Sequence, residues 1–210
     1  MTVEVLRSAS IMASAAAATA TLHVSASTRR TKAVLQMDPV LDEIERRAEA
    51  GLGGILDESL LEALLVLPVD IPVPAEALHA DTQRELSAAP SGCVDFVDET
   101  VIRRAMSPIR VLSAGVCAAT WSDGLSQAGQ FASYCERYAV LTSPADDLDH
   151  AAMEASFYGI GLATMTRGSE SLQWIVRPGS FRPTRETVAS WHFAESAFEA
   201  MLQSPERLRA

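Results

Sequence analysis

The second half of the sequence alternates apolar, β-branched runs with amphipathic helical segments, and this alternation constrains the fold more than any other feature. "PIRVLSAGVCA" and "RYAVLTS" have the composition of buried strands, with a predicted helix over 122–136 between them. "YGIGLATMT" and "SLQWIVRPG" are further predicted strands, and "RETVASWHFAESAFEAML" predicts a closing amphipathic helix. The order strand, helix, strand, helix, strand predicts an α/β fold with a mixed central sheet flanked by helices.

The first ninety residues predict a mainly helical and acidic N-terminal part. Asp38 and Gly51 are the start and stop signals of one helix, and a second begins near Asp57 in "DESLLEALLVLP". A proline-rich connector and a third short helix follow. We therefore predict two domains, a helical part over 1–90 and a sheet domain over 91–210.

The N-terminal run over 8–28 has no formal charge and consists mostly of Ala, Ser and Thr. The preceding "MTVEVLR" has one acid and one base, unlike the positive start of a signal peptide, and the run is too weakly apolar for a membrane span. We predict an alanine-rich helix followed by a strand around "TLHVSA", no membrane association and a cytoplasmic location. The sequence leaves open a targeting segment within 1–28.

The net charge of −10 comes almost entirely from the first half of the chain. Residues 1–100 contain 16 acids and 7 bases, whereas residues 101–210 contain 11 acids and 10 bases. An acidic surface keeps a protein soluble and repels nucleic acid, so a phosphate contact requires a local arginine cluster. Lys32 is the single lysine, and hence the one candidate for lysine chemistry.

The cysteines and histidines lack the spacing of a metal site. There is no C-x-x-C pair and no Cys–His cluster, which argues against zinc. We expect the cysteines to be buried small apolar residues in a reducing compartment. The scattered residues are Cys93, Cys117, Cys135, His23, His79, His150 and His192.

The segment from about 94 to 178 has a specific order of elements. A strand is followed by a helix bearing glutamines, then by "AVLTSP", a capped helix and a strand beginning "GIGL". Gln130 and Tyr134 form a Q-x-x-x-Y pair, and Gln127 with Ala128 forms a Q-A pair. In these features the segment resembles the latter half of PD-(D/E)xK, or restriction endonuclease-like, domains, and the resemblance implies that fold.

The resemblance also implies that the catalytic residues are lost. Such nucleases hold divalent metals between an aspartate and the glutamate of E-x-K, and the lysine polarises the attacking water or the phosphate. In "LSAGV", Ser113 takes the place of the glutamate and Gly115 that of the lysine. Neither can perform that chemistry, so the resemblance implies a pseudoenzyme that persists in nucleic-acid binding or in the assembly of a larger complex, without a cofactor.

An active nuclease with displaced ligands is the alternative. Asp95, Asp98 and Glu99 could supply the metal carboxylates for Mg²⁺ or Mn²⁺, and Gln130 and Tyr134 would complete the site by resemblance.

Five arginines are candidates for binding DNA or RNA. Three lie in the loop "RPGSFRPTR" before a predicted helix, where they could hold a phosphate, and two form a separate pair. The five are Arg177, Arg182, Arg185, Arg103 and Arg104. The alternative is that these arginines form surface ion pairs with the abundant acids.

A third hypothesis, from another functional class, is an acidic regulatory protein that docks a protein partner. It predicts an exposed apolar patch along the 60–66 segment, from Leu60 to Val66.

Overall fold

The predicted α/β class is confirmed: the computed structural model contains a mixed sheet flanked by helices and a smaller second sheet. It describes residues 22–28, 31–143, 145, 147–165 and 172–203. The chain divides into two compact units. Unit 1 takes its described residues from 38–110 and 185–203, and unit 2 from 22–37 and 111–184. The predicted domain boundary after residue 90 lies inside unit 1.

Nine strands form the two sheets of the described chain. They are β1 (Leu22–Thr28), β2 (Thr31–Pro39), β3 (Val73–Pro74), β4 (Val94–Val97), β5 (Thr100–Arg103), β6 (Ile109–Ala118), β7 (Glu136–Leu141), β8 (Gly161–Met165) and β9 (Leu172–Val176). The larger sheet has the order β1-β2-β6-β7-β8-β9, in which β6, β7 and β8 are parallel and β1–β2 and β8–β9 are antiparallel pairs. The smaller sheet has the order β3-β5-β4.

Six α-helices lie in the described residues. They are α1 (Leu41–Ala50), α2 (Glu58–Val66), α3 (Ala80–Ser87), α4 (Trp121–Gly129), α5 (Leu148–Tyr158) and α6 (Val188–Leu202). None of the helices in this part of the chain is both long enough and apolar enough to cross a bilayer.

Two helices connect the parallel strands of unit 2. Helix α4 joins β6 to β7, and α5 joins β7 to β8. Right-handed crossovers between strands in this order place both helices on one face of the sheet. The indole nitrogen of Trp121 accordingly donates a hydrogen bond to Glu154 at 2.8 Å. Within the described part of unit 2, neither crossover helix therefore lies on the opposite face of the sheet.

Both unit 2 helices differ from their predicted bounds. Helix α4 ends at Gly129 instead of 136, because short-range turns follow it and bring Phe131 and Cys135 into the core. Helix α5, for which the sequence predicts a capping box beginning at Ser143, is instead capped by Asp147, whose side chain accepts a hydrogen bond from the backbone amide of His150.

Unit 1 packs its helices around a hydrophobic core, which includes Leu61, Leu64 and Trp191. The predicted stop at Gly51 is confirmed by its left-handed backbone (φ 68°). The predicted helix start near Asp57 is confirmed as well, and the Asp57 side chain caps α2. Asp38 is not an N-cap, because β2 continues through it to Pro39.

The described part of the first ninety residues contains strands as well as the predicted helices. The strand predicted around "TLHVSA" is confirmed as β1, and it pairs with β2 over seven residue pairs. The predicted alanine-rich helix lies outside the described residues. Because β1 and β2 belong to the large sheet, part of the predicted helical domain contributes to the sheet domain.

Candidate functional site

The strand predicted to carry the lost nuclease motif, β6, has uncharged groups at both positions of interest. Ser113 is buried, and its hydroxyl donates a hydrogen bond to Gln36 on the neighbouring strand β2 at 3.0 Å. Gly115 is opposite Tyr138 in the pairing of β6 with β7. A Cβ placed on Gly115 would overlap the end of the Tyr138 ring. The ring thus fills the space through which a lysine side chain at 115 would have to pass.

The contact between Gly115 and Tyr138 continues across the sheet. Tyr138 is also paired with Gly161 on β8, where an added Cβ would lie 2.7 Å from the Tyr138 Cβ, 2.9 Å from Pro178 Cδ and 3.0 Å from Trp174 Cζ3. The Tyr138 and Trp174 rings meet edge to face, with centroids 5.3 Å apart. We call Gly115, Tyr138, Gly161, Trp174 and Pro178 the aromatic row. Its two glycines leave room for rings to lie directly on the strands.

The aromatic row lies on the face opposite the crossover helices. Side chains alternate along a strand, so Ser113, Gly115 and Cys117 share one face of β6. The other face carries buried Ala114 and Val116 toward the helices. Cys117 is exposed, whereas the Tyr138 and Trp174 side chains are half-buried.

Lys32 supplies a cation on this face of the sheet. The burial of β2 alternates, and Lys32 points to the same side as Gln36, the partner of Ser113. Lys32 is exposed. Burial raises the pKa of Tyr138, and Cys117 raises it further, so the phenol stays protonated at neutral pH.

The carboxylates proposed for an active nuclease lie elsewhere. Asp95 is on β4, and Asp98 and Glu99 form the exposed turn to β5, all in unit 1. Asp95 accepts a hydrogen bond from Arg104 at 2.7 Å. Within the described ranges, no three His, Cys, Asp or Glu side chains come together as a metal site.

The two helix residues suggested by the resemblance lie in unit 2. Gln130 follows α4 directly, and its side-chain oxygen accepts from the hydroxyl of Thr31 at 3.2 Å. Tyr134 lies in the turn before β7. Gln130 therefore ties the end of α4 to strand β2.

Arg103 is inside unit 1. Its side chain donates to the carbonyl oxygen of Ala105 at 2.8 Å, and its guanidinium lies 4.3 Å from the Trp191 ring centroid. Burial lowers the pKa of Arg103, partly offset by Glu186 at 3.5 Å. With only 5% of its surface exposed, Arg103 stabilises the core and is not presented to a nucleic acid.

Arg104 forms the surface ion pairs that were the alternative to phosphate binding. It contacts Asp70 and Asp95, each at 2.7 Å. The hydrogen bonds that Arg104 donates to these two carboxylates raise its pKa. A phosphate would have to compete with two carboxylates for this guanidinium.

The other three arginines are exposed in the segment 177–187, between β9 and α6. Arg177 and Arg182 belong to unit 2, and Arg185 belongs to unit 1. Gly179 donates a backbone hydrogen bond to Gly159 at 3.1 Å, and Pro178 packs over Gly161. The start of the arginine segment is thereby attached to the aromatic row.

The sequence analysis missed a buried ionic cluster in unit 1. Arg47 is fully buried and contacts Glu195 and Glu43, each at 2.7 Å. Burial by itself lowers the pKa of Arg47, but hydrogen bonds to Glu195 and Glu43 and their charges raise it above its ordinary value. The signals were a Glu–Arg pair four residues apart in α1 and one glutamate on the apolar face of α6.

The charged groups of the cluster also form hydrogen bonds with nearby backbone groups. Glu195 accepts from the amide of Ile55 at 2.9 Å, Glu43 accepts from that of Met106 at 3.2 Å, and Arg47 donates to the Gly53 and Met106 carbonyls. Its hydrogen-bonding groups are occupied within the unit, so we assign it a structural role.

The apolar patch predicted along Leu60 to Val66 is not exposed as a patch. Leu60, Leu61 and Leu64 are buried in the unit 1 core, and the exposed member is Val66. This face of α2 is covered because α3 and α6 pack against the helix. Helix α5 instead exposes Met153 and Phe157, at 64% and 81% of their surface.

No protein-family model, curated protein or solved structure matches this chain.

Proposed function

We propose that the chain is a catalytically inactive, nuclease-like module that binds nucleic acid. The observation that carries the proposal is the state of β6, where Ser113 bonds to a neutral amide and the Tyr138 ring lies on Gly115. Without a carboxylate or an ammonium group at these positions, the strand has no means to hold Mg²⁺ or to polarise water. The succession β6, α4, β7, α5, β8, with parallel strands, supports the resemblance to the nuclease-like domains.

Charge distribution favours unit 2 as the binding unit. The segments 22–37 and 111–184 contain seven acidic and seven basic residues, and the remaining segments contain twenty and ten. A nucleic acid is thus repelled mainly by unit 1 and meets no net charge on unit 2. Arg177 and Arg182 are the exposed arginines of unit 2 that the sequence analysis selected.

The test is a binding titration with labelled DNA and RNA at two salt concentrations, read by fluorescence anisotropy. Replacing Arg177 and Arg182 by Ala is expected to weaken binding about tenfold and to reduce the salt slope by about two phosphate contacts. The control replaces Arg84 and Arg110, two exposed arginines of unit 1, by Ala, with the same change in net charge. Equal affinities for both double variants and the parent would overturn the assignment to these arginines.

The same samples test the active-nuclease alternative. After incubation with Mn²⁺, the nucleic acid is expected to run intact on a denaturing gel. Chelator-sensitive cleavage that is lost on Asp95→Asn or Asp98→Asn substitution would support the alternative and contradict the proposal.

Assembly into a larger complex is a second candidate, and the exposed face of α5 favours it. Met153 and Phe157 are one helical turn apart, and Phe157 contacts Tyr158 edge to face at 5.0 Å. An exposed apolar group of this kind often marks a protein interface. Sedimentation velocity should show a mass that increases with protein concentration, and Phe157→Ser should abolish the increase; a constant monomer mass would contradict self-assembly.

A further inference from the structure

We infer that the nucleic acid bound by unit 2 is single-stranded and that one of its bases stacks on Trp174 of the aromatic row. The inference rests on the proposed function, since it names the class of nucleic acid that the site would take. Tyr138 and Trp174 would then take part in binding together with the arginines.

The first step concerns the shape of the row. Tyr138 is paired with a glycine on each side, Gly115 on β6 and Gly161 on β8, and neither partner has a side chain. Trp174 is paired with Ala163, and its ring reaches over Gly161, where an added Cβ would lie 3.0 Å from Trp174 Cζ3. Each ring is held from below by a glycine backbone and from the side by its neighbour, and neither is fully buried. Ordered aromatic side chains on a sheet face are the platform on which many proteins stack unpaired bases.

The second step concerns the charges beside the row. Arg177 lies between Val176, the last residue of β9, and Pro178, which packs over Gly161. Lys32 is exposed on the same face at β2. Glu136 is the half-buried acid on the Tyr138 side of β7, so we expect the phosphates to follow the β9 end of the row toward Arg177 and Arg182.

The third step excludes a duplex as the preferred ligand. In a double helix the base faces are covered by the neighbouring pairs, and a protein meets only base edges and phosphates. Flat rings fixed on a sheet face gain from base stacking only when the base is unpaired. A duplex would use the arginines alone.

The experiment compares three labelled ligands of equal length: a single strand of mixed sequence, a strand of abasic sites, and a duplex. The single strand is expected to bind the parent protein about tenfold more tightly than the abasic strand, because an abasic site has no base to stack on the aromatic side chain. Trp174→Leu should remove this advantage and leave the affinity for the abasic strand unchanged. Trp191 and Trp121 have little exposed surface, so quenching of the parent's tryptophan fluorescence by the single strand, and not by the abasic strand, reports on Trp174.

The outcomes separate this inference from the proposed function. Equal affinity for the three ligands with unchanged fluorescence would overturn the stacking inference and leave nucleic-acid binding intact. Absence of binding to all three would overturn both. Because Trp174 contacts Tyr138, circular dichroism and a urea midpoint of Trp174→Leu check the fold, and the fluorescence measurement on the parent does not depend on any variant.

Discussion

Unit 1 and unit 2 use different interactions to specify their interiors. In unit 1, the buried polar side chains among the described residues are all charged. Glu43, Arg47 and Glu195 form one cluster, and Arg103 is buried separately against Trp191. In unit 2, the buried polar side chains among the described residues are the hydroxyls of Thr31 and Ser113. Unit 1 is thus specified by directional charge contacts, and unit 2 by close packing between strands.

This difference determines which unit has side chains available to a ligand. The charges inside unit 1 are satisfied by one another and by backbone groups, so they are not available to a partner. The aromatic row of unit 2 has no buried charge to satisfy and keeps two half-buried rings on a sheet face. Binding at unit 2 therefore need not disturb the interactions that hold that unit together.

The largest expected effect breaks the charge cluster of unit 1. Arg47→Met leaves Glu195 buried without a cation and leaves Glu43 paired with Arg46 alone, and we expect a loss of about 3–5 kcal/mol in the free energy of unfolding. Urea denaturation followed by circular dichroism measures it. Arg84→Met is the matched control, since its ion pair with Asp81 is exposed and should contribute little. Similar midpoints for the two variants would contradict a structural role for the cluster.

The next effect tests the close packing of unit 2. Gly115→Ala introduces a methyl group into the volume of the Tyr138 ring and should lower the free energy of unfolding by about 1–3 kcal/mol. Gly129→Ala is the control, because no atom lies within 4 Å of the added carbon. In the Gly115→Ala background, Tyr138→Leu should recover part of the loss, and purely additive effects of the two substitutions would contradict the contact.

The smallest expected effect is the contribution of two buried thiols, one in each unit, to the pH dependence of the free energy of unfolding. Burial raises the pKa of Cys93 to about 11 and that of Cys135 to about 12, from an ordinary value of 9.0. Both pKa values are raised in the folded state, so their stabilising contribution is complete below pH 9. It is lost as the pH rises toward 11 and 12, because the unfolded thiols release protons first.

The measurement is the urea midpoint at pH 7, 9 and 10. At pH 10 each thiol should account for a loss of about 1 kcal/mol, and Cys93→Ala or Cys135→Ala should flatten the pH dependence. Cys117→Ala is the control, since Cys117 is exposed. If the Cys117 variant alone changes the slope, the assignment to the buried thiols is wrong.

Part of the fold could be predicted because its signals are local. Gly51 ends α1 through its own backbone freedom, and Asp57 caps α2 with its own side chain. The runs that became β6 and β7 are apolar enough to be recognised without knowledge of their neighbours.

Other predictions were wrong because the features concerned depend on residues that are distant in the sequence. Strand β2 can be recognised only when its partner β1 and its alternating burial are known. Asp38, predicted to start a helix, lies in β2, and the helix begins three residues later. The protein-docking hypothesis predicts an exposed apolar patch from Leu60 to Val66, but most of this segment is buried by α3 and α6, which lie further along the chain.

In the candidate site, too, some features follow from the local sequence and others depend on distant residues. The sequence by itself determined that β6 lacks a carboxylate and a lysine, because these are properties of residue types. It also determined the local starts and stops of several helices and strands. Only the tertiary structure decided that Arg103 lies in a core while Arg177 and Arg182 are exposed, and that Tyr138 lies on Gly115. The physical reason is that exposure and cross-strand contact are set by what packs against a residue, and those neighbours come from remote parts of the chain.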